Sequence, residues 1–117
     1  MSDASDPQRF EPGDLVSVVT DDGGYGIVKL LVTDAIGVHA RLYQQRFTDR
    51  PSAVDPTTLS LGPSMFAQDV PFSIGHIPLC YETFAHWQPV LLARGLAVED
   101  REMQGHRGWE EAEGGYF

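Results

Sequence analysis

Hydrophobic residues in the first half of the chain fall into three short runs separated by turn sequences. A β-branched run over 15–19 is followed at 21–24 by Asp-Asp-Gly-Gly, whose glycines can adopt the positive φ angles of a tight hairpin. The second run covers 25–33, and Gly26 within it indicates a bulge or a sharp bend. Over 38–47, hydrophobic and polar residues alternate with period two. The pattern predicts three consecutive antiparallel strands joined by hairpins.

The alternation in the third predicted strand assigns its side chains to two faces. Val38, Ala40 and Leu42 are predicted to face the core. The other face is rich in arginine and tyrosine, a composition that protein interfaces favour, although a solvated face of an antiparallel strand can look the same. The residues of this strand that we predict to bind a partner are His39, Arg41, Tyr43 and Arg46.

The second half of the chain begins with a long predicted loop over 48–71 that contains four prolines. A further strand is predicted over 72–77, ending at Pro78 because proline cannot donate to a ladder. Another strand is predicted over 89–93.

Two helices are predicted in this half. Cys80, Phe84 and Trp87 have the spacing of one helix face, which predicts a short helix. Residues 98–111 have a helical pattern with early carboxylates, and two glycines within it imply a dependence on tertiary contacts through Met103 and Trp109.

These elements predict a mostly β fold of the α+β class. We expect a small bent antiparallel sheet or an SH3-like partial barrel, with a short helix and a C-terminal helix. The chain has 117 residues, enough for one core, so residues 10–117 are predicted to form a single β-rich domain. Residues 1–9 are polar and acidic and are predicted to be a disordered tail.

The charge balance narrows the class of partner. Seventeen acidic residues against eight lysines and arginines give a formal net charge of −9, which repels phosphate backbones and anionic membranes. We therefore expect no binding to nucleic acid or membranes and favour a basic protein partner, although acidity can also serve solubility alone. Glu110 and Glu111 are the predicted steering carboxylates.

No residue pattern indicates a catalytic or metal centre. The spacing His76-x3-Cys80-x5-His86 is the only cluster that could hold zinc, and it lacks paired ligands, so no metal or cofactor is predicted. Apolar neighbours of Cys80 predict a buried, inert thiol. The chain is therefore predicted not to be an enzyme; a cryptic enzyme using Cys80 is the remaining catalytic hypothesis.

The expected cellular location rests on the composition of the first residues and on the length of the apolar runs. The first residues have neither a basic region nor an apolar region of a signal peptide, and the longest apolar runs have five or six residues. We expect a cytoplasmic protein.

Several short motifs together resemble a family of bacterial immunity proteins of polymorphic toxin systems, the family numbered twenty-six. They cover nearly the whole chain, although each motif is short and mostly structural. The residues that carry the resemblance are Pro12-Gly13-Asp14, Tyr25-Gly26-Ile27-Val28, residues 72–79, Phe84, Trp87 and Gly114-Gly115-Tyr116-Phe117. The resemblance implies an intracellular binding protein that neutralises a toxin, often a nuclease, by stoichiometric association.

Two noncatalytic functions are thus expected. The first is binding of a cognate toxin, in which an acidic face occludes a basic active-site surface and the loop over 48–71 adds shape specificity. The alternative is a small regulatory or ligand-binding β-barrel domain that uses the exposed face of the third strand.

Overall fold

The computed structural model describes residues 10–61 and 73–117, and these form a five-stranded antiparallel sheet with two helices. The strands are β1 (Leu15–Val19), β2 (Tyr25–Thr33), β3 (Gly37–Phe47), β4 (Ile74–Cys80) and β5 (Val90–Ala93). The helices are α1 (Tyr81–His86) and α2 (Gln104–Glu111), with 3₁₀ turns at Pro56–Thr58 and Asp100–Met103. The spatial order is β4-β3-β2-β1-β5, and within the described ranges β4 and β5 do not pair, so the sheet is open. The predicted α+β class is confirmed.

The first hairpin forms as its turn sequence predicts. Gly23 has φ +84°, and the Asp22 carboxylate accepts hydrogen bonds from the Gly24 amide at 3.0 Å and from the Thr20 hydroxyl at 2.5 Å. Beyond the turn, the β2–β3 register shifts between Gly26 and Val28. The sheet is therefore irregular beside Gly26, where a bulge or a sharp bend was predicted, and the extra residues lie in β3 between Leu42 and Arg46.

Strand β4 runs through Pro78, so the prediction that the strand ends there is wrong. Pro78 pairs with His39 of β3, and its carbonyl points to the outer edge, where it accepts the Phe117 amide at 3.0 Å. The missing N–H of proline therefore falls on the side without a strand partner. Directly after Pro78, the Leu79 carbonyl oxygen would lie 1.9 Å from a Cβ on Gly37, so only glycine permits this approach.

The core lies between one face of the sheet and α1. Val38, Ala40 and Leu42 belong to it, which confirms the core-facing set predicted for the third strand. Phe84 of α1 is fully buried and packs edge-on against Phe10, with ring centroids 5.7 Å apart.

The opposite face of the sheet is covered by the C-terminal part of the chain. His39 is fully buried there, packed against rings of α2 and Tyr116, so the prediction that it faces solvent is wrong. The two-residue period was correct, but a helix covers the face that a lone sheet would expose. Arg41 and Tyr43 on the same face are half-buried.

Cys80 ends β4 and does not belong to α1, which begins at Tyr81. The predicted helix face shared by Cys80, Phe84 and Trp87 is therefore wrong, as is the predicted burial of the thiol, which is partly exposed. The thiol contacts the Thr83 hydroxyl at 3.3 Å. This hydrogen bond, followed by the Thr83 amide, lowers the pKa of Cys80.

The last helix starts later than its pattern suggests. Residues 100–103 form a 3₁₀ turn preceded by Glu99, whose amide donates to the Glu102 carboxylate at 2.9 Å. The α-helical part begins only at Gln104. Predictions for the tail 1–9, for 62–71 of the loop and for Phe72 lie outside the described residues.

None of the described helices is long and apolar enough to cross a membrane.

Candidate functional site

A buried ion pair lies on the sheet face covered by the C-terminal part of the chain. The Lys29 ammonium lies 2.9 and 3.1 Å from the two Glu102 carboxylate oxygens and donates to the Ala97 carbonyl at 2.6 Å. The side chains are 8% and 6% exposed. Burial alone would raise the pKa of Glu102, but the Glu99 amide and Lys29 outweigh it and lower that pKa. The pair joins β2 to the 3₁₀ turn Asp100–Met103.

A half-open cavity of about 610 Å³ extends outward from this pair, and we name it the ion-pair cavity. Arg41 and Tyr43 line it, as do the carboxylate–guanidinium pair Glu99–Arg101 and loop residues 56–61. The Arg41 side chain is 15% exposed; its Nε donates to the Gly75 carbonyl at 3.3 Å and its terminal nitrogen lies 4.0 Å from Glu102. Two residues that the sequence pattern placed on an interface therefore meet in one cavity.

A second polar group, the histidine–aromatic cluster, fixes the C-terminal segment to the sheet. Its members, His39, His76, His106, Trp109 and Tyr116, pack with ring centroids 4.5–6.4 Å apart.

The hydrogen bonds of this cluster form one directed chain. Tyr116 donates its hydroxyl proton to the Asp34 carboxylate. The Tyr116 oxygen therefore accepts the hydrogen bond from His39 Nε2–H, at 3.0 Å. His39 Nδ1 is then the acceptor for His76 Nε2–H at 2.9 Å. Burial would raise the pKa of Asp34, but the bonds from Tyr116 and the Gly37 and Ile36 amides lower it.

Burial lowers the pKa of two histidines of this cluster, His39 and His76. It is the largest cause of the lowered pKa of His39, followed by repulsion from His106. The pKa of His76 falls to about 4, through burial and then repulsion from His39 and His106. Neither described cavity is lined by members of the cluster. In the described ranges, no group of three or more His, Cys, Asp or Glu residues is placed to hold a metal ion. Because the rings of His106 and Trp109 on α2 pack against His39 of the sheet, we call the cluster the lock between α2 and the sheet.

Around the lock, several carboxylates gather at one end of the molecule, which we name the acidic end. Asp34 lies in the β2–β3 turn and its backbone carbonyl accepts the Tyr81 hydroxyl. The Phe117 carbonyl accepts the Cys80 amide at 2.9 Å, which brings the C-terminal residues to the start of α1. The carboxylates of the acidic end are Asp34, Glu82, Glu110, Glu111 and Glu113, all on exposed residues.

Two exposed apolar side chains lie at the acidic end. Ile36 is 58% exposed and its carbonyl accepts the Tyr81 amide, while Phe117 is 69% exposed and bonds the neighbouring Cys80. Among the described residues, the one other exposed large apolar side chain is Val90, at 43%. We call Ile36 and Phe117 the apolar pair; exposed apolar residues near exposed carboxylates are typical of protein interfaces.

Arg46 lies apart from the other predicted interface residues. It borders a mostly apolar cleft of about 530 Å³ on the core face, lined by Leu42, Ile77 and Trp87. Its guanidinium donates to the Tyr43 carbonyl at 2.6 Å. Positions 41 and 46 have opposite parity on β3, so a single face could not hold both.

The cations of the described chain are all bonded within the molecule. Seven of the eight lysines and arginines lie in the described ranges, and each contacts a carboxylate or a carbonyl of the same chain. They are Lys29, Arg41, Arg46, Arg50, Arg94, Arg101 and Arg107.

The structure thus separates the six predicted partner-binding residues. His39 belongs to the buried lock, Arg41 and Tyr43 to the ion-pair cavity, Arg46 to the apolar cleft on the core face, and Glu110 and Glu111 to the acidic end. Sequence reasoning missed the partners from distant segments, above all Lys29, Glu102 and Tyr116. A lone lysine inside an otherwise apolar strand pattern was the one available signal, because a buried lysine needs an acidic partner.

Comparisons with protein-family models, with curated proteins and with solved structures found no match.

Proposed function

We propose that the chain is a noncatalytic binding protein whose acidic end docks onto a basic protein partner. The specific form of this activity is neutralisation of a cognate toxin, which the resemblance to the immunity family implies.

The observation that carries the proposal is the separation of charge. The described cations are bonded within the molecule, whereas Glu82, Glu111 and Glu113 have no ion pair with a described residue. The Glu110 carboxylate lies 3.3 Å from the His106 ring, which is the one basic group among the described residues that it contacts. Unpaired carboxylates on one end attract a basic surface over a range set by the Debye length, roughly 10 Å at moderate salt.

The apolar pair, Ile36 and Phe117, supplies an apolar contact with the partner, which carboxylates alone cannot supply. Charged rims mainly steer encounter, whereas buried apolar anchors slow dissociation. Ile36 and Phe117 are placed to enter shallow pockets of a partner while Glu82 and Glu110 face its lysines and arginines. A nuclease active site, basic because it binds phosphates, fits this description and would be blocked by occlusion.

The first experiment captures the partner and measures its association rate. Tagged full-length chain retains a basic protein from a lysate of its native host at low salt, and salt weakens retention. With that protein in hand, Glu110→Lys/Glu111→Lys is expected to slow association about 10-fold or more and to change dissociation less.

A matched control carries the same charge change at the opposite end. Asp21→Lys/Asp49→Lys alters two exposed carboxylates beside the β1–β2 turn and the end of β3. Strand β3 has 11 residues, so this site lies roughly 35 Å from the acidic end. Equal association rates for the two double variants would contradict steering by the acidic end.

A growth assay separates toxin neutralisation from other binding. Expression of the captured protein alone should arrest growth, and co-expression of the wild-type chain should restore it. Ile36→Glu, which places a charge in the apolar pair, should abolish rescue while leaving the fold intact. A captured protein that is harmless alone would remove the immunity assignment and leave the binding proposal standing.

A further inference from the structure

The ion-pair cavity has the chemistry of a small-molecule site, separate from the acidic end. Its volume of about 610 Å³ is in the range of ligand pockets, and its walls come from β2, β3, the loop 56–61 and the segment before α2.

Charge balance identifies which side chain is available to a ligand. Glu102 is held by Lys29 and the Glu99 amide, and Glu99 is paired with Arg101 at 2.7 Å. Both carboxylates that line the cavity are therefore occupied. The remaining cation is Arg41, whose guanidinium makes one long hydrogen bond and a 4.0 Å contact, leaving terminal N–H groups to donate.

Tyr43 adds a second donor beside Arg41. The two residues are separated by two positions on β3 and so project from the same face. The Tyr43 hydroxyl forms no hydrogen bond with another described residue. Burial, and then the neighbouring Glu102, raise the pKa of Tyr43, so the hydroxyl stays protonated and can donate.

The other wall of the cavity is apolar. Leu59, Leu61 and Leu96, all partly exposed, contribute to it. A ligand that fits has one negative charge, planar acceptor oxygens for the guanidinium, and a hydrocarbon part for the leucines.

We propose that the ion-pair cavity binds a small-molecule carboxylate with an apolar tail, held by Arg41 and Tyr43. Phosphate, a more highly charged and tetrahedral anion, fits less well because, among the described lining residues, Arg41 is the one cation with no carboxylate closer than 4.0 Å, and the leucines would face the phosphate oxygens.

Calorimetric titration of the full chain with hexanoate tests the site, with hexanamide as the neutral isostere. Hexanoate should bind saturably, with a Kd of roughly millimolar for so few atoms, and about 10-fold more tightly than hexanamide. The backbone amide signals of residues 57–61 and 97–102 should shift during the titration, which places the ligand without a variant.

Arg41→Gln should weaken hexanoate binding about 10-fold, and Tyr43→Phe should weaken it by a smaller factor. The matched control is Arg107→Gln, since Arg107 is 50% exposed, pairs with Asp100 and does not line the cavity. The affinity of Arg107→Gln for hexanoate should equal that of the wild type.

Four outcomes would overturn the assignment: equal affinity for hexanoate and hexanamide, equal losses for Arg41→Gln and Arg107→Gln, tighter binding of inorganic phosphate, or shifts confined to residues outside the cavity. Because Arg41 contacts Glu102, the melting temperature of Arg41→Gln is measured alongside. If Arg41→Gln is unfolded, the hexanoate affinity of Tyr43→Phe and the amide shifts of the wild type decide whether the cavity is the binding site.

Discussion

At the residue scale, the Lys29–Glu102 pair is the least expected feature of the fold. Removing two charges from water is costly, and their attraction offsets that cost only when the geometry and remaining hydrogen bonds are good. Here Lys29 has a carbonyl partner and Glu102 has an amide partner besides each other. The pair therefore holds the 3₁₀ turn on β2 in one position.

Removing one member of the pair should cost far more than removing both. Lys29→Met leaves Glu102 buried without its cation, which we expect to lower the free energy of unfolding by about 3 kcal/mol or more. Lys29→Met/Glu102→Leu should recover most of that loss. Urea unfolding followed by circular dichroism measures both.

The exposed pair Arg101–Glu99 provides the control for this prediction. Arg101 is 75% exposed, so Arg101→Met should change the free energy of unfolding by less than about 1 kcal/mol. A Lys29→Met variant as stable as Arg101→Met would show that the buried pair has no such role.

At the element scale, α2 depends on the contacts it makes with the sheet. The helix has eight residues, two of them glycine, and none of its side chains is fully buried. A helix this short and rich in glycine is unstable alone in water. Its stability comes from the packing of His106 and Trp109 on His39 and from the Trp109 indole N–H, which donates to the Gly115 carbonyl at 2.9 Å.

The lock should weaken in mild acid. His39 and His76 have pKa values below the ordinary 6.5, that of His76 being about 4, so the unfolded chain binds protons first as pH falls. Stability is therefore complete above about pH 6.5 and is lost progressively towards pH 4. We expect His76 to contribute about 1 to 2 kcal/mol to this loss, because it is partly exposed.

The fluorescence of Trp109 in a Trp87→Phe background, together with melting temperature, measures this transition. His76→Gln should flatten the dependence between pH 6.5 and 4, whereas His86→Gln, at an exposed position on α1, should leave it unchanged. Asp34, His106 and Glu110 face the same rings, and the Asp34 carboxylate, whose pKa is lowered, loses its charge only at lower pH. A profile identical in wild type and His76→Gln would contradict the role of His76.

At the scale of the whole molecule, charge placement matters more than net charge. The chain carries a formal net charge of −9, and its described cations are bonded to carboxylates or carbonyls of the same chain. Phosphate contacts need several free lysines or arginines on one face, because released counterions drive the binding.

We accordingly expect no retention of DNA or RNA. A filter-retention assay with single- and double-stranded oligonucleotides should show no binding at micromolar protein, even at low salt where such contacts are strongest. Affinity in the submicromolar range at roughly physiological salt would contradict both this expectation and the proposed attraction to a basic partner.

The sequence by itself determined the local elements. β1, β2 and the predicted core-facing set of β3 agree with the structure because hydrophobic period and turn glycines act within a few residues. The continuation of β4 through Pro78 departed from expectation because an edge strand tolerates a missing N–H, and edge position is a property of the assembled sheet.

Only the tertiary structure decided which polar residues meet. Lys29 and Glu102 are 73 positions apart, and His39 and Tyr116 are 77 apart, so no local pattern indicates either contact. The long sequence separation between His39 and Tyr116 also explains why the expectation that His39 faces solvent was wrong. An alternating strand specifies two faces, but whether the polar face meets water or a helix depends on where the C-terminal segment packs, and that is settled by long-range burial and hydrogen bonding.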